Sequence, residues 1–167
     1  MTFWRRLHEW WQRMPWPSDP LERCQWIQFP AARRSRSEKP KDLLARAGEE
    51  AAAHFLVSKG YTVLHRNIRF PEGELDIVAK WAKTLIFIEV KTRETDKFGL
   101  PYQFVSEKKQ RRQIALASRF VSLCRLQGVA VRFDVVSVVL LPGQPAKIEH
   151  IENAFMVKDV ESAARPV

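Results

Sequence analysis

Glu89 stands where a carboxylate is least expected. Residues 84–90 read TLIFIEV, a nearly continuous apolar run of the kind that forms a central strand covered on both faces. Burying an ionised carboxylate there without compensation costs several kcal/mol, so a cation, a metal or strong donors must sit beside it. Side chains two apart on a strand share a face, so Glu89 and Lys91 point the same way while Val90 turns into the opposite layer; Lys91 could itself be the partner. The preceding run, Gly73-Glu74-Leu75-Asp76-Ile77-Val78, repeats the anomaly, with Glu74 and Asp76 on one face and Leu75 and Ile77 on the other. If the two runs pair as a hairpin, Asp76 and Glu89 lie side by side, and two like charges there call for a bound cation. All-oxygen ligation suits Mg²⁺ or Mn²⁺, with water and a substrate phosphate completing the shell. Lys91 could then orient an attacking water or neutralise charge developing on the phosphate.

These residues need elements to hold them. An Ala-rich helix is expected from about Asp42 to Lys59, closed by Gly60. At ~100° per residue, Glu49 falls on the apolar side with Ala52 and Leu56, whereas Glu50 turns away; Glu49 could complete the acidic cluster or simply hydrogen-bond the backbone at the boundary. His54 is read as the i+4 neighbour of Glu50. Strands are expected over 61–69, 74–80 and 84–91, the last two as a hairpin. After a loop containing Gly99 and Pro101, Ser106 is a plausible N-cap for a helix to about Gln127, with Ile114, Ala117, Val121 and Cys124 as its inner face. A strand follows over 131–140, then a turn at Pro142 and Gly143 and an edge strand near Ile148. The order is α-β-β-β-α-β. Arg132 and Asp134 share a strand face and are read as a structural ion pair.

Gly48-Glu49-x-x-Ala52, Arg66-Asn67, Gly73-Glu74-Leu75-Asp76-Ile77, Phe87-Ile88-Glu89-Val90-Lys91-Thr92-Arg93 and Arg132-Phe133-Asp134-Val135-Val136 together resemble the YraN-like family of small bacterial proteins, over roughly residues 45–140. That family is similar to the Holliday-junction resolvases and the wider restriction-endonuclease-like superfamily, whose pattern is a helix Glu, a strand Asp and Glu-x-Lys on the next strand. The resemblance implies a restriction-endonuclease-like α/β fold, a mixed central sheet flanked by helices. It also implies that Glu49, Asp76, Glu89 and Lys91 act as metal ligands and catalytic lysine, with Arg93 near the nucleic acid. Resolvase-like proteins often work as dimers, since a four-way junction takes two symmetrical cuts, which brings a homodimer into consideration; the sequence carries no interface signature.

Composition limits the partners. The chain has 28 Lys and Arg against 19 Asp and Glu, a formal charge of +9, which suits a phosphate backbone or an anionic membrane surface better than an acidic protein. Lys108, Lys109, Arg111 and Arg112 form a basic run at the start of the second long helix, and Lys108, Arg111, Arg112 and Arg119 can form one basic stripe for DNA phosphates, or a merely solvated face. Two cysteines make no disulfide framework, and the scattered histidines resemble no zinc site. No apolar run approaches the ~20 residues of a spanning helix and no secretory h-region is visible, so a cytoplasmic location is expected.

Residues 1–40 differ from the rest. They hold Trp4, Trp10, Trp11, Trp16 and Trp26 and end in a basic, Ser-containing stretch, which places a boundary at residue 40, with an endonuclease-like domain over 41–167. Trp4, Leu7, Trp11 and Met14 follow helical spacing up to Pro15, and residues 1–30 could dock on a protein or a membrane surface. Two functions follow: a divalent-metal-dependent DNA endonuclease, acting on branched or damaged DNA, or a non-catalytic nucleic-acid-binding module of the same fold.

Overall fold

The computed structural model describes residues 19–26, 29, 39–95 and 106–156. A short helix α1 (Pro20–Arg23) runs into a 3-10 turn (Cys24–Trp26), followed by α2 (Pro40–Ser58), β1 (Thr62–Phe70), β2 (Gly73–Trp81), β3 (Thr84–Arg93), α3 (Glu107–Leu123), β4 (Ala130–Val139) and β5 (Lys147–Phe155). The strands form one mixed sheet in the order β1-β2-β3-β4-β5. β3 and β4 are parallel and the other neighbours antiparallel, so the chain between β3 and β4, which contains α3, makes the crossover that a parallel pair requires. The expected edge strand near Ile148 is β5, paired with β4.

Helix boundaries follow local chemistry. α2 starts at Pro40, whose fixed φ and missing N–H suit a first helical position. It stops where Gly60 adopts φ +87° and the Tyr61 N–H returns to the Leu56 carbonyl at 3.0 Å. α3 starts after Ser106, as expected, and ends at Leu123.

The sheet is covered on both faces. Ala52, Ala53 and Leu56 of α2 pack with Ile77, Ile86, Ile88, Val136 and Val138. Leu116, Ala117 and Phe120 of α3 pack with Leu75, Val78, Leu85, Phe87, Phe133 and Val135. The run 84–90 is therefore a central strand with Leu85 and Phe87 on one side and Ile86 and Ile88 on the other. The α3 face differs from expectation: Gln113, Leu116, Ala117 and Phe120 are buried, while Ile114, Val121 and Cys124 only flank the core. The helix is rolled so that Gln113 faces a buried carboxylate, a polar requirement that hydrophobic periodicity does not register.

The boundary expected at residue 40 does not coincide with the edge of the core. Leu21 and Cys24 are buried in the α3-side core, and Phe29 stacks on Phe120 with ring centroids 5.2 Å apart and meets His65 edge-on at 4.9 Å. Lys80 pairs with Asp19, and His65 hydrogen-bonds the Cys24 carbonyl. Neither cysteine is in a disulfide, and a hydrogen bond to Cys24, with burial, raises the pKa of Cys124. The helical spacing expected for Trp4–Met14, the loop with Gly99 and Pro101, and the C-terminal tail lie outside the described residues.

Glycine at position 48 lets α2 approach β3. A Cβ there would stand 1.8 Å from Thr92 Oγ1 and 2.7 Å from Thr92 Cβ, far inside van der Waals contact. Gly48→Ala is therefore expected to destabilise the fold by about 2–3 kcal/mol, a typical cost of overpacking, with partial recovery when combined with Thr92→Ala. Denaturant melts of the single and double variants measure both; an unchanged midpoint for Gly48→Ala would refute the close approach.

Candidate functional site

The β2–β3 ladder runs from Trp81 opposite Thr84 to Ile77 opposite Ile88. The next residues on the two strands are Asp76 and Glu89. Here a side chain takes over from the ladder, since the Val90 N–H donates to Asp76 Oδ2 at 2.8 Å. Asp76 and Glu89 are 9% and 4% exposed, so the adjacent carboxylates inferred from the two sequence runs share a nearly dry environment. Burial above all, and then the charge of Glu89, push the Asp76 carboxyl up from its ordinary value of 3.8 to about 8.

Glu89 is held by three side chains from two elements. Its Oε1 accepts from Lys91 Nζ at 3.1 Å and from Lys109 Nζ, and its Oε2 accepts from Gln113 Nε2 at 2.9 Å. Gln113 also reaches the Glu74 carbonyl at 3.3 Å. The two lysines respond differently to this shared carboxylate. Burial, then the neighbouring Lys109, bring Lys91 below its ordinary value. Burial acts the same way on Lys109, but the Glu89 charge and hydrogen bond outweigh it and the net direction is upward.

Glu49, on α2, lines a separate hollow with Arg46, Glu50, Arg66 and Asn67. Its side chain accepts a hydrogen bond from Asn67, and desolvation raises its pKa; its charge also contributes to the upward shift of Asp76. Asn67 adopts φ +55° within β1, a conformation Asn tolerates better than most residues. Glu49 Oε2 is buried without a hydrogen-bond partner. Among the described residues, no three His, Cys, Asp or Glu side chains are gathered as a metal-holding group.

An open cleft of about 420 Å³ leads to the carboxylates, lined by Arg69, Glu74, Asp76, Glu89, Lys109 and Arg112 among others. Of the basic residues singled out from the sequence, Lys109 turns inward to Glu89, while Arg111 pairs with Glu107 at 3.0 Å and Arg119 with Glu72 at 2.7 Å. Lys108 and Arg112 are exposed, and Arg112 borders the cleft, its Cδ 3.0 Å from where a Gly73 Cβ would lie. Arg93 is half-buried at the end of β3. Gln113 was not anticipated; the signal available was its i+4 spacing from Lys109.

The polar pair on the other sheet face is structural. Arg132 bonds Asp134 through Nε and Nη2 at 2.9 and 2.8 Å, and the 1%-exposed Asp134 also accepts from the Asn153 N–H at 2.9 Å and lies 2.8 Å from His150 Nε2. His54 likewise meets Glu50 at 3.0 Å.

A mixed five-stranded sheet between helices, with Asp and Glu-x-Lys meeting where two central strands part, is an α/β architecture consistent with a restriction-endonuclease-like core. Residues 48–138 match the model of the Uncharacterised protein family UPF0102, and the chain belongs to that family. It is 44% identical over 108 residues to a UPF0102 protein of Clostridioides difficile, covering 65% of this chain and 92% of that one. Over 109 residues it is 46% identical to a relative from Trichlorobacter lovleyi, at 65% and 86% coverage. The YraN-like resemblance read from the motifs is thereby confirmed. No helix among the described residues is long and apolar enough to cross a membrane.

Proposed function

We propose that this protein is a divalent-metal-dependent DNA endonuclease, with Asp76 and Glu89 as ligands and Lys91 as the catalytic lysine. The observation that carries the reading is the juxtaposition of two buried carboxylates, one driven to about 8, at the floor of a cleft bordered by arginines. A fold gains nothing in stability from such a pair, whereas a site for a hard cation needs it. The donor set fits Mg²⁺ or Mn²⁺: the two carboxylates offer hard oxygens only, which leaves water and substrate oxygens to complete the shell. When bound, such an ion supplies an activated water and stabilises charge on a phosphate oxygen.

The chain's own residues supply the rest. The Val90 N–H fixes one oxygen of Asp76, leaving the carboxylate oriented by the backbone. Lys91, half-buried and paired with Glu89, is the residue that would orient an attacking water or neutralise charge developing on the phosphate. Arg69 and Arg112 flank the cleft where a phosphate backbone would enter.

A non-catalytic nucleic-acid-binding module is the second reading, and one observation favours it: Glu89 is satisfied by Lys91, Lys109 and Gln113 with no metal needed. Cleavage assays on branched and linear DNA separate the two. Endonuclease action predicts cutting that requires Mg²⁺ or Mn²⁺ and is lost in folded Asp76→Asn, Glu89→Gln and Lys91→Ala proteins. If no substrate is cut with either ion, the binding module stands.

Both readings place DNA phosphates on the start of α3. Neutralising Lys108, Arg111 and Arg112 together is expected to flatten the slope of log affinity against log salt by roughly two to three, and Arg112→Ala alone by about one. Binding titrations at several salt concentrations measure this; an unchanged slope makes the stripe a solvated face.

A further inference from the structure

We propose that Lys109 is a positioning residue with two seats: in the free protein its ammonium neutralises Glu89, and a divalent ion entering beside Asp76 and Glu89 displaces it into the cleft, where it meets the substrate's phosphates. The proposal rests on the metal-site reading above. It begins from the crowding at Glu89, where three donors converge on one carboxylate. A carboxylate offers about four acceptor positions, and Oε1 is already shared by two ammonium groups. A divalent ion on that oxygen cannot keep both as neighbours, because charges of the same sign a few ångströms apart in a poorly solvated site repel by several kcal/mol even at an effective dielectric constant of about 20.

Of the two lysines, Lys109 is the one free to leave. Lys91 is on the same strand as Glu89, two residues on, so the backbone holds it on that face whatever binds. Lys109 comes from the first turn of α3, its side chain is 36% exposed against 25% for Lys91, and it already lines the cleft with Arg69 and Arg112. A rotation of its four-carbon stem moves the charge from the carboxylate to the cleft mouth without moving the helix. Gln113, one turn further along α3, stays on Glu89 Oε2 and keeps α3 in register. The same side chain then serves as the counter-charge of a metal-free site and as a phosphate contact in a loaded one. Metal loading is thereby coupled to the basic surface.

Brief amine acetylation of the full chain, read by mass spectrometry with and without saturating Mn²⁺, tests the displacement. Lys109 is expected to become several-fold more reactive with Mn²⁺, Lys108 to stay unchanged, and the rise to be absent in Asp76→Asn. A second measurement compares Mn²⁺ affinity by calorimetry in Lys109→Met and Lys108→Met, which lose the same charge; the first is expected to bind about tenfold more tightly than the second, as the loss of one competing charge-assisted hydrogen bond implies. If Mn²⁺ binds but Lys109 reactivity does not rise, or the two variants bind alike, the displacement is refuted and the metal site stands. If Mn²⁺ binds none of these proteins, both fall.

Discussion

Asp76→Asn is expected to raise the melting temperature of the metal-free protein, by an amount that grows with pH. The folded-state value of Asp76, about 8, lies above the ordinary 3.8 because of burial and the neighbouring Glu89. Between those values the folded state holds a proton that the unfolded state releases, so stability falls as pH rises through this window and is lowest above about pH 8. At about 1.4 kcal/mol per pKa unit, and allowing for the coupling to Glu89, the cost of ionising Asp76 is roughly 3 kcal/mol or more. Asn mimics the neutral acid in shape, can still accept from the Val90 N–H, and cannot ionise. The two proteins should therefore melt alike near pH 4 and diverge up to pH 9. A variant less stable than wild type across that range would mean that Asp76 is ionised and paired.

Removing residues 1–30 is expected to cost about 3–5 kcal/mol and lower the melting temperature by roughly 10 °C. The deletion takes away Leu21 and Cys24, which are 3% and 0% exposed, and uncovers Phe120 where Phe29 stacks on it. It also removes the Asp19 partner of Lys80 and the carbonyl partner of His65. Leu21→Ala and Phe29→Ala in the full chain should each reproduce part of the loss. A truncated protein that melts with the full chain would restore the boundary at residue 40.

The sequence displayed the sheet better than the helix faces. The apolar run 84–90 located β3 and the side of it that carries Glu89, because the two-residue period of a strand leaves little ambiguity; in β2 the expected common face of Leu75 and Ile77 is not kept, since Leu75 packs in the α3-side core and Ile77 in the α2-side core. The inward turn of Glu49, half-buried where Glu50 is exposed, was legible from helical spacing, but its Asn67 partner depends on a left-handed residue within a strand. The inner face of α3 is not legible from apolar periodicity because Gln113 and Lys109 are polar, and such residues turn inward only where a buried carboxylate demands them. The role of residues 19–29 was hidden for a different reason. Leu21, Cys24 and Phe29 are sparse apolar residues with no period, and their places are set by the α3-side core, where Phe29 meets His65, Phe70 and Phe120.

Thermal melting at pH 7 with and without excess Mn²⁺, in wild type and Asp76→Asn, tests most directly whether the two carboxylates form a divalent-ion site. At an ion concentration about 100 times its Kd, wild type should gain roughly 2.7 kcal/mol, a shift of several degrees, and Asp76→Asn should gain almost none. Equal shifts in the two proteins, or no shift in wild type, would contradict the site and leave Glu89 as a carboxylate held by Lys91, Lys109 and Gln113 for structure alone.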